Sequence, residues 1–160
     1  MIQTLKSQAL TQRKCFFYLY TMLHRTTKQE DLKQCWEVMK KAFPETFTRK
    51  MKIMRLDSQH VLTNKEHTYW CILDDRDPFC IKLAYHTKLP TCRQPGIALI
   101  RSVINYCKNT FTKGKLVATV RASNVRGRDC LLFNRFHPLF MCKIQQEDAI
   151  KYVYFFNPLI

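Results

Sequence analysis

Apolar side chains return along this chain with two different periods, and each change of period marks a change of element. Leu32, Cys35, Trp36, Met39 and Phe43 are three or four positions apart, the spacing of one helix face. A helix is predicted there. Thr26 or Thr27 is placed to cap it, Glu30 and Asp31 fall in its first turn where the helix dipole favours carboxylates, and Pro44 closes it. The preceding stretch, Lys14 to Leu23 (KCFFYLYTML), is dense in aromatic residues and reads as a strand. Roughly the first 12 residues are polar and mixed, and are expected to form a loose leader.

After a polar connection, Glu45 to Lys50, three strand-like segments follow: Met51 to Leu62, His67 to Leu73 and Phe79 to Leu89. Asp74 to Pro78 (DDRDP) supplies turn chemistry between the last two, so the group reads as an antiparallel meander. In the third segment, alternation places Ile81, Leu83, Tyr85 and Leu89 on one face and Lys82, His86 and Lys88 on the other.

Gly96 opens the clearest helix. Ile97, Ile100, Val103, Ile104, Cys107 and Phe111 form its apolar face, opposite Arg101, Ser102, Asn105 and Lys108. Gly114 marks the way out. Lys115 to Ala122 is a strand, and Ser123-Asn124 caps a short helix around Arg126 to Phe133. Leu139 to Ile144 and Lys151 to Phe156 close the chain as strands.

Composition narrows the reading. A chain of 160 residues, 46% of them hydrophobic, suits one domain with one sizeable core. No stretch approaches the roughly 20 apolar residues of a membrane span, and the short apolar run from Cys15 lacks a leader's cleavage site; a soluble, cytoplasmic protein is expected. The 8 cysteines include no C-x-x-C pair and sit among apolar residues, so they read as reduced core thiols. The 5 histidines show no zinc spacing with them, and no metal is expected. Charge is the strongest signal: 27 Lys+Arg against 12 Asp+Glu, a net +15, favours an anionic partner such as nucleic acid, a phosphorylated cofactor or an acidic protein.

The candidate chemistry centres on TCRQPGIALI, Thr91 to Ile100, where a strand runs into a glycine-bearing turn that opens a helix. Free N–H groups and the dipole at such a helix start attract phosphate, and Arg93 stands at the entrance. By itself the pattern fits a purely structural turn equally well.

LPTCRQPGIALI, with Arg93, Gly96 and Ala98 in the fixed positions of [Q/R]-x-x-G-x-[G/A] and Leu89-Pro90 before them, resembles the signature of the GNAT (Gcn5-related N-acetyltransferase) superfamily. The downstream strand ending at Asn124 and the segment VRGRDCLLFNRF are also similar to that family. The resemblance implies an α+β fold: a mixed, mostly antiparallel sheet of about seven strands flanked by helices, splayed between strands 4 and 5. It implies acetyl-CoA or another acyl-CoA as cofactor, its pyrophosphate on backbone N–H groups of Gln94 to Ala98, with Leu89, Arg93, Gln94, Gly96, Ile97, Ala98 and Asn124 as binding residues. An amine would attack the thioester directly, by positioning and oxyanion stabilisation.

Three positions depart from the family pattern. Pro95 removes one loop donor, Leu131 stands near the place of the family's tyrosine acid, and Arg135-Phe136 replaces the usual Gly-Phe. The candidates for proton chemistry are His86, otherwise an exposed strand histidine, and Cys130, otherwise an inert buried thiol. The basic charge favours an anionic acceptor, such as an RNA-linked amine or an acidic protein. The alternative function is a binding module of the same fold that holds nucleic acid or protein on its basic surface.

Overall fold

A computed structural model of the chain describes residues 22–47 and 59–157. Among these, the elements run β1 (His24–Arg25), α1 (Gln29–Ala42), β2 (His60–Thr63), β3 (Tyr69–Asp74), β4 (Cys80–Lys88), α2 (Gly96–Thr110), β5 (Lys115–Arg121), α3 (Val125–Phe133), β6 (His137–Ile144) and β7 (Glu147–Phe155). The strands form one seven-stranded sheet in the order β1-β2-β3-β4-β5-β7-β6. Every neighbouring pair is antiparallel except β4 with β5. That parallel pair is joined through α2, the kind of crossover a parallel connection needs. The architecture is the α+β arrangement expected. The predicted Lys14–Leu23 strand lies outside the described residues apart from its last two positions, and of the Met51–Leu62 segment only 59–62 are described.

Helix α1 buries Leu32, Cys35, Trp36 and Met39, the face predicted from spacing. Its cap differs from expectation. Lys28 is the N-cap residue and caps with no side-chain bond. Thr26 lies two residues before it, accepts from Lys28 N–H at 3.4 Å and donates to Asp31 Oδ2 at 2.6 Å. The supposedly polar connection after α1 also hides a core residue: Phe47 is buried and packs edge-on against Trp36 and Tyr85. α1 with Val61, Trp70, Ile72 and Tyr85 thus covers one face of the sheet.

The other face carries the larger core, where Leu99, Ile100, Val103, Ile104 and Cys107 of α2 and Leu131 of α3 meet Leu73, Ile81, Leu83, Leu116 and Tyr152. Ser102, placed on the solvent side by spacing, is buried; its hydroxyl donates to Ala98 O at 3.0 Å, so burial leaves no unmet donor.

Strand β4 corrects a second expectation. Leu73 pairs with Leu83 and Ile72 pairs with Tyr85, so Ala84 is an extra residue in the ladder. This β-bulge reverses the alternation beyond it. Tyr85 joins the α1 side and His86 joins Ile81 and Leu83 on the α2 side, the opposite of a regular strand. At the end of the chain, β6 begins at His137 and β7 at Glu147, both earlier than predicted. They are joined by Gln145 and Gln146, both at positive φ (48° and 69°), and Lys143 pairs with Asp148 at 2.5 Å across the hairpin.

Candidate active site

β4 and β5 are neighbours only from Cys80↔Lys115 to Leu83↔Ala118, although β4 continues to Lys88 and β5 to Arg121. The bulge at Ala84 coincides with the place where they part. Beyond it, the edges of β4 and β5 that face one another have lost their ladder partners, and a cavity of about 690 Å³ occupies the opening. It reaches both faces of the sheet. Leu83, His86, Ala118, Val120 and Leu131 line it on the α2 side, and Phe43, Lys82, Tyr85, Thr119 and Lys151 on the α1 side.

His86 is the predicted site residue most firmly held in this cavity. Burial pushes its pKa down to about 4, so the ring is neutral at physiological pH and is a poor base. Its Nδ1 lies 3.3 Å from the Tyr69 hydroxyl. Tyr69 is itself buried, among the thiols of Cys71, Cys92 and Cys130, and burial drives its pKa well up. A phenol donates better to an imidazole nitrogen than to a thiol sulfur. A Tyr69 hydroxyl that donates to Nδ1 keeps the proton of neutral His86 on Nε2.

The start of α2 forms a second part of the site. Its first intrahelical bond runs from Leu99 N–H to Pro95 O at 3.1 Å, so the N–H groups of Gly96, Ile97 and Ala98 precede the ladder. Pro95, the N-cap residue, offers no N–H and no side-chain cap, and no acidic residue stands in the first turn. The positive end of a 15-residue helix is therefore left without a side-chain anion. Gln94 Oε1 and Arg128 Nε are buried there and on α3 with no partner among the described residues.

Gly96 is needed for packing rather than for an unusual dihedral. A Cβ at this position would stand 3.1 Å from Cys130 Sγ, so the glycine lets α3 close onto α2. Asn134 strengthens the junction, donating from Nδ2 to Ile97 O at 3.1 Å and to Cys130 O at 2.9 Å. Cys130 thus faces the loop and is not part of the cavity wall, and burial followed by Asp129 raises its pKa. Asn124 is the N-cap of α3, accepting from Gly127 N–H at 3.0 Å, and also lines the cavity. Leu89, Arg93, Gln94, Gly96, Ile97 and Ala98 stand outside the cavity wall. Tyr69, Lys82, Thr119 and Lys151 were not legible as site residues. Their signal is the strand pairing, which a single sequence does not display.

No protein-family model and no curated protein matches this sequence. Solved structures do. An acetyltransferase of the GNAT family from Bacillus cereus superposes with a TM-score of 0.65 at 14% identity, covering 83% of this chain and 95% of that one. This chain has the GNAT fold. Arabidopsis thaliana NAA60 in complex with acetyl-CoA (TM-score 0.63, 14% identity, 83% and 98% covered) is similar to it. So is the ribosomal-protein-S18-alanine N-acetyltransferase of Escherichia coli (0.63, 16%, 86% and 95%). The parting of β4 from β5 is the GNAT splay expected from the sequence, and among the described residues no helix is long and apolar enough to cross a membrane.

Proposed function

We propose that this protein transfers an acetyl or longer acyl group from acyl-CoA to a primary amine. The observation that carries the reading is the opened parallel pair β4–β5 with a cavity across the sheet, together with the uncapped start of α2, the helix that joins the two strands. The neighbours supply the cofactor class, since one of them holds acetyl-CoA. In this reading the pyrophosphate lies against the N–H groups of Gly96, Ile97 and Ala98, with Arg93 at the rim, and the acyl end enters from the α2 side.

The chemistry then needs little from side chains. The amine nitrogen attacks the thioester carbonyl, the C–N bond forms, and the oxyanion is met by N–H groups on the β4 edge that the splay leaves unpaired. Collapse breaks the C–S bond. The neutral Nε2–H of His86 donates a hydrogen bond toward the acyl oxygen or the departing sulfur, and the ammonium proton leaves to water. Cys130, kept protonated by its raised pKa, stands against the loop as a packing residue in this scheme.

Acetyl-CoA should raise the melting temperature, and release of free CoA thiol should depend on an added amine. No shift at millimolar acetyl-CoA would reject the reading. Leu131 favours a second one: it is buried, lines the cavity, and stands near the sequence position of the family's tyrosine acid, so this position offers no hydroxyl to a leaving thiolate. A binding module that retains the cofactor site would show the thermal shift but release no thiol.

A further inference from the structure

The two mouths of the cavity differ in charge. On the α1 side, Lys82 of β4, Thr119 and Arg121 of β5 and Lys151 of β7 share one face of the sheet. Thr119 is exposed and is the direct partner of Lys151, while Lys82 sits beside Val117, one step along the same face. Strands lie about 4.8 Å apart and alternate residues along a strand about 6.6 Å apart, so the Cα atoms of the two lysines are separated by roughly 12 Å on this face. The described residues that line the cavity include no Asp or Glu.

The cations differ in how far they are already matched. Arg121 is held by Glu147 at 3.3 Å and by Gln145 at 2.8 Å. Lys151 stands over the ring of Phe140, 5.4 Å from its centre, and has no carboxylate at ion-pair distance among the described residues. Lys82 lies across the ladder from Asp74, but Asp74 is bound by Arg76 through two side-chain bonds of 2.9 and 2.6 Å. Lys82, Arg121 and Lys151 thus line a cavity whose described wall holds no carboxylate, with the Lys82 charge also reaching Asp74 and Asp77 at the β3–β4 end and the Lys151 ammonium leaning over Phe140 of β6.

We infer that the acceptor is an amine that also carries an anionic group, a phosphate or a carboxylate, seated between Lys82 and Lys151 while its amino group points into the splay. The inference rests on the acyl-transfer reading of the same cavity. A cationic polyamine would meet the lysines and find no carboxylate on the described wall. A short anionic amine suits this wall: its anion meets the cationic Lys82, Arg121 and Lys151 side, and its nitrogen enters from the face opposite the acyl-CoA. Phe43 and Tyr85 limit the entrance on the other flank, which suits a small or terminal group.

The test is binding of defined probes to the full chain by calorimetric titration, with and without saturating CoA. O-phosphoethanolamine and 3-aminopropanoate are the anionic amines, and ethanolamine is the neutral-tailed control. At least one anionic probe is expected to bind tenfold or more tightly than ethanolamine. Lys82→Gln with Lys151→Gln is expected to remove that difference and leave CoA affinity unchanged. Equal binding of all three probes, no binding of any, or an unchanged difference in the doubly substituted protein overturns the inference. Loss of CoA binding in the unsubstituted protein would instead overturn the acyl-transfer reading, because the probe titration without CoA stands apart from it.

Discussion

The hydroxyl of Tyr69, on β3, is 3.3 Å from Nδ1 of His86, on β4, and the contact exists because the extra residue Ala84 turns His86 to the Tyr69 side of the sheet. Removing the hydroxyl leaves a partly buried imidazole nitrogen without its hydrogen-bond partner. Tyr69→Phe should cost on the order of 1 kcal/mol in chemical denaturation. It should also release the tautomer, so the ¹⁵N shifts of His86 move from a protonated Nε2 toward a mixture. An unchanged pair of shifts would show that Tyr69 does not set it.

His86 also makes stability depend on pH. Its pKa falls from 6.5 to about 4 on folding because burial disfavours the charged ring. The unfolded chain therefore takes up a proton below 6.5 that the folded chain refuses until about 4. The stability from keeping this ring neutral is complete above 6.5, drains away as the pH falls toward 4, and is fully lost below it. His60, lowered first by its burial and then by Arg25, contributes in the same direction. Melting curves from pH 7.5 to 4.5 should therefore slope less steeply in His86→Gln than in the parent, and parallel slopes would contradict the shift.

At Gly96 a methyl group would meet Cys130 Sγ at 3.1 Å. Gly96→Ala should destabilise the protein by roughly 1 kcal/mol, the cost of mild overpacking. Cys130→Ala in the same chain should recover most of that loss, which a double-mutant cycle measures as a coupling. Additive effects would mean that the two residues do not press on one another.

Gln145 and Gln146 both hold positive φ in the β6–β7 turn, where asparagine and glycine are far more at ease. Gln145→Asn with Gln146→Gly should raise stability by about 0.5–1 kcal/mol, read as a higher denaturation midpoint at constant slope.

Much of this was legible from periodicity. The burial of Leu32, Cys35, Trp36 and Met39, the start of α2 at Gly96 and the cap at Asn124 all follow local rules that act within a few residues. The misplaced features have non-local or locally silent causes. The Gln145-Gln146 turn carries no glycine or asparagine to announce it, so β6 and β7 were read too short. Phe47 sits in a polar run, and only Trp36 and Tyr85 make it core. The placement of Lys82, Thr119 and Lys151 on one face of the sheet arises from three strands distant in sequence.

Ala84 gives β4 a parity that composition does not reveal. Deleting it would keep every side chain that the two compartments now use but exchange their addresses, sending the Tyr85 phenol toward α2 and the His86 imidazole toward α1. An imidazole and an aromatic wall would trade rooms through the loss of one methyl-bearing residue. Chemistry at this opening is therefore encoded as much in the count of residues along the strand as in their identity.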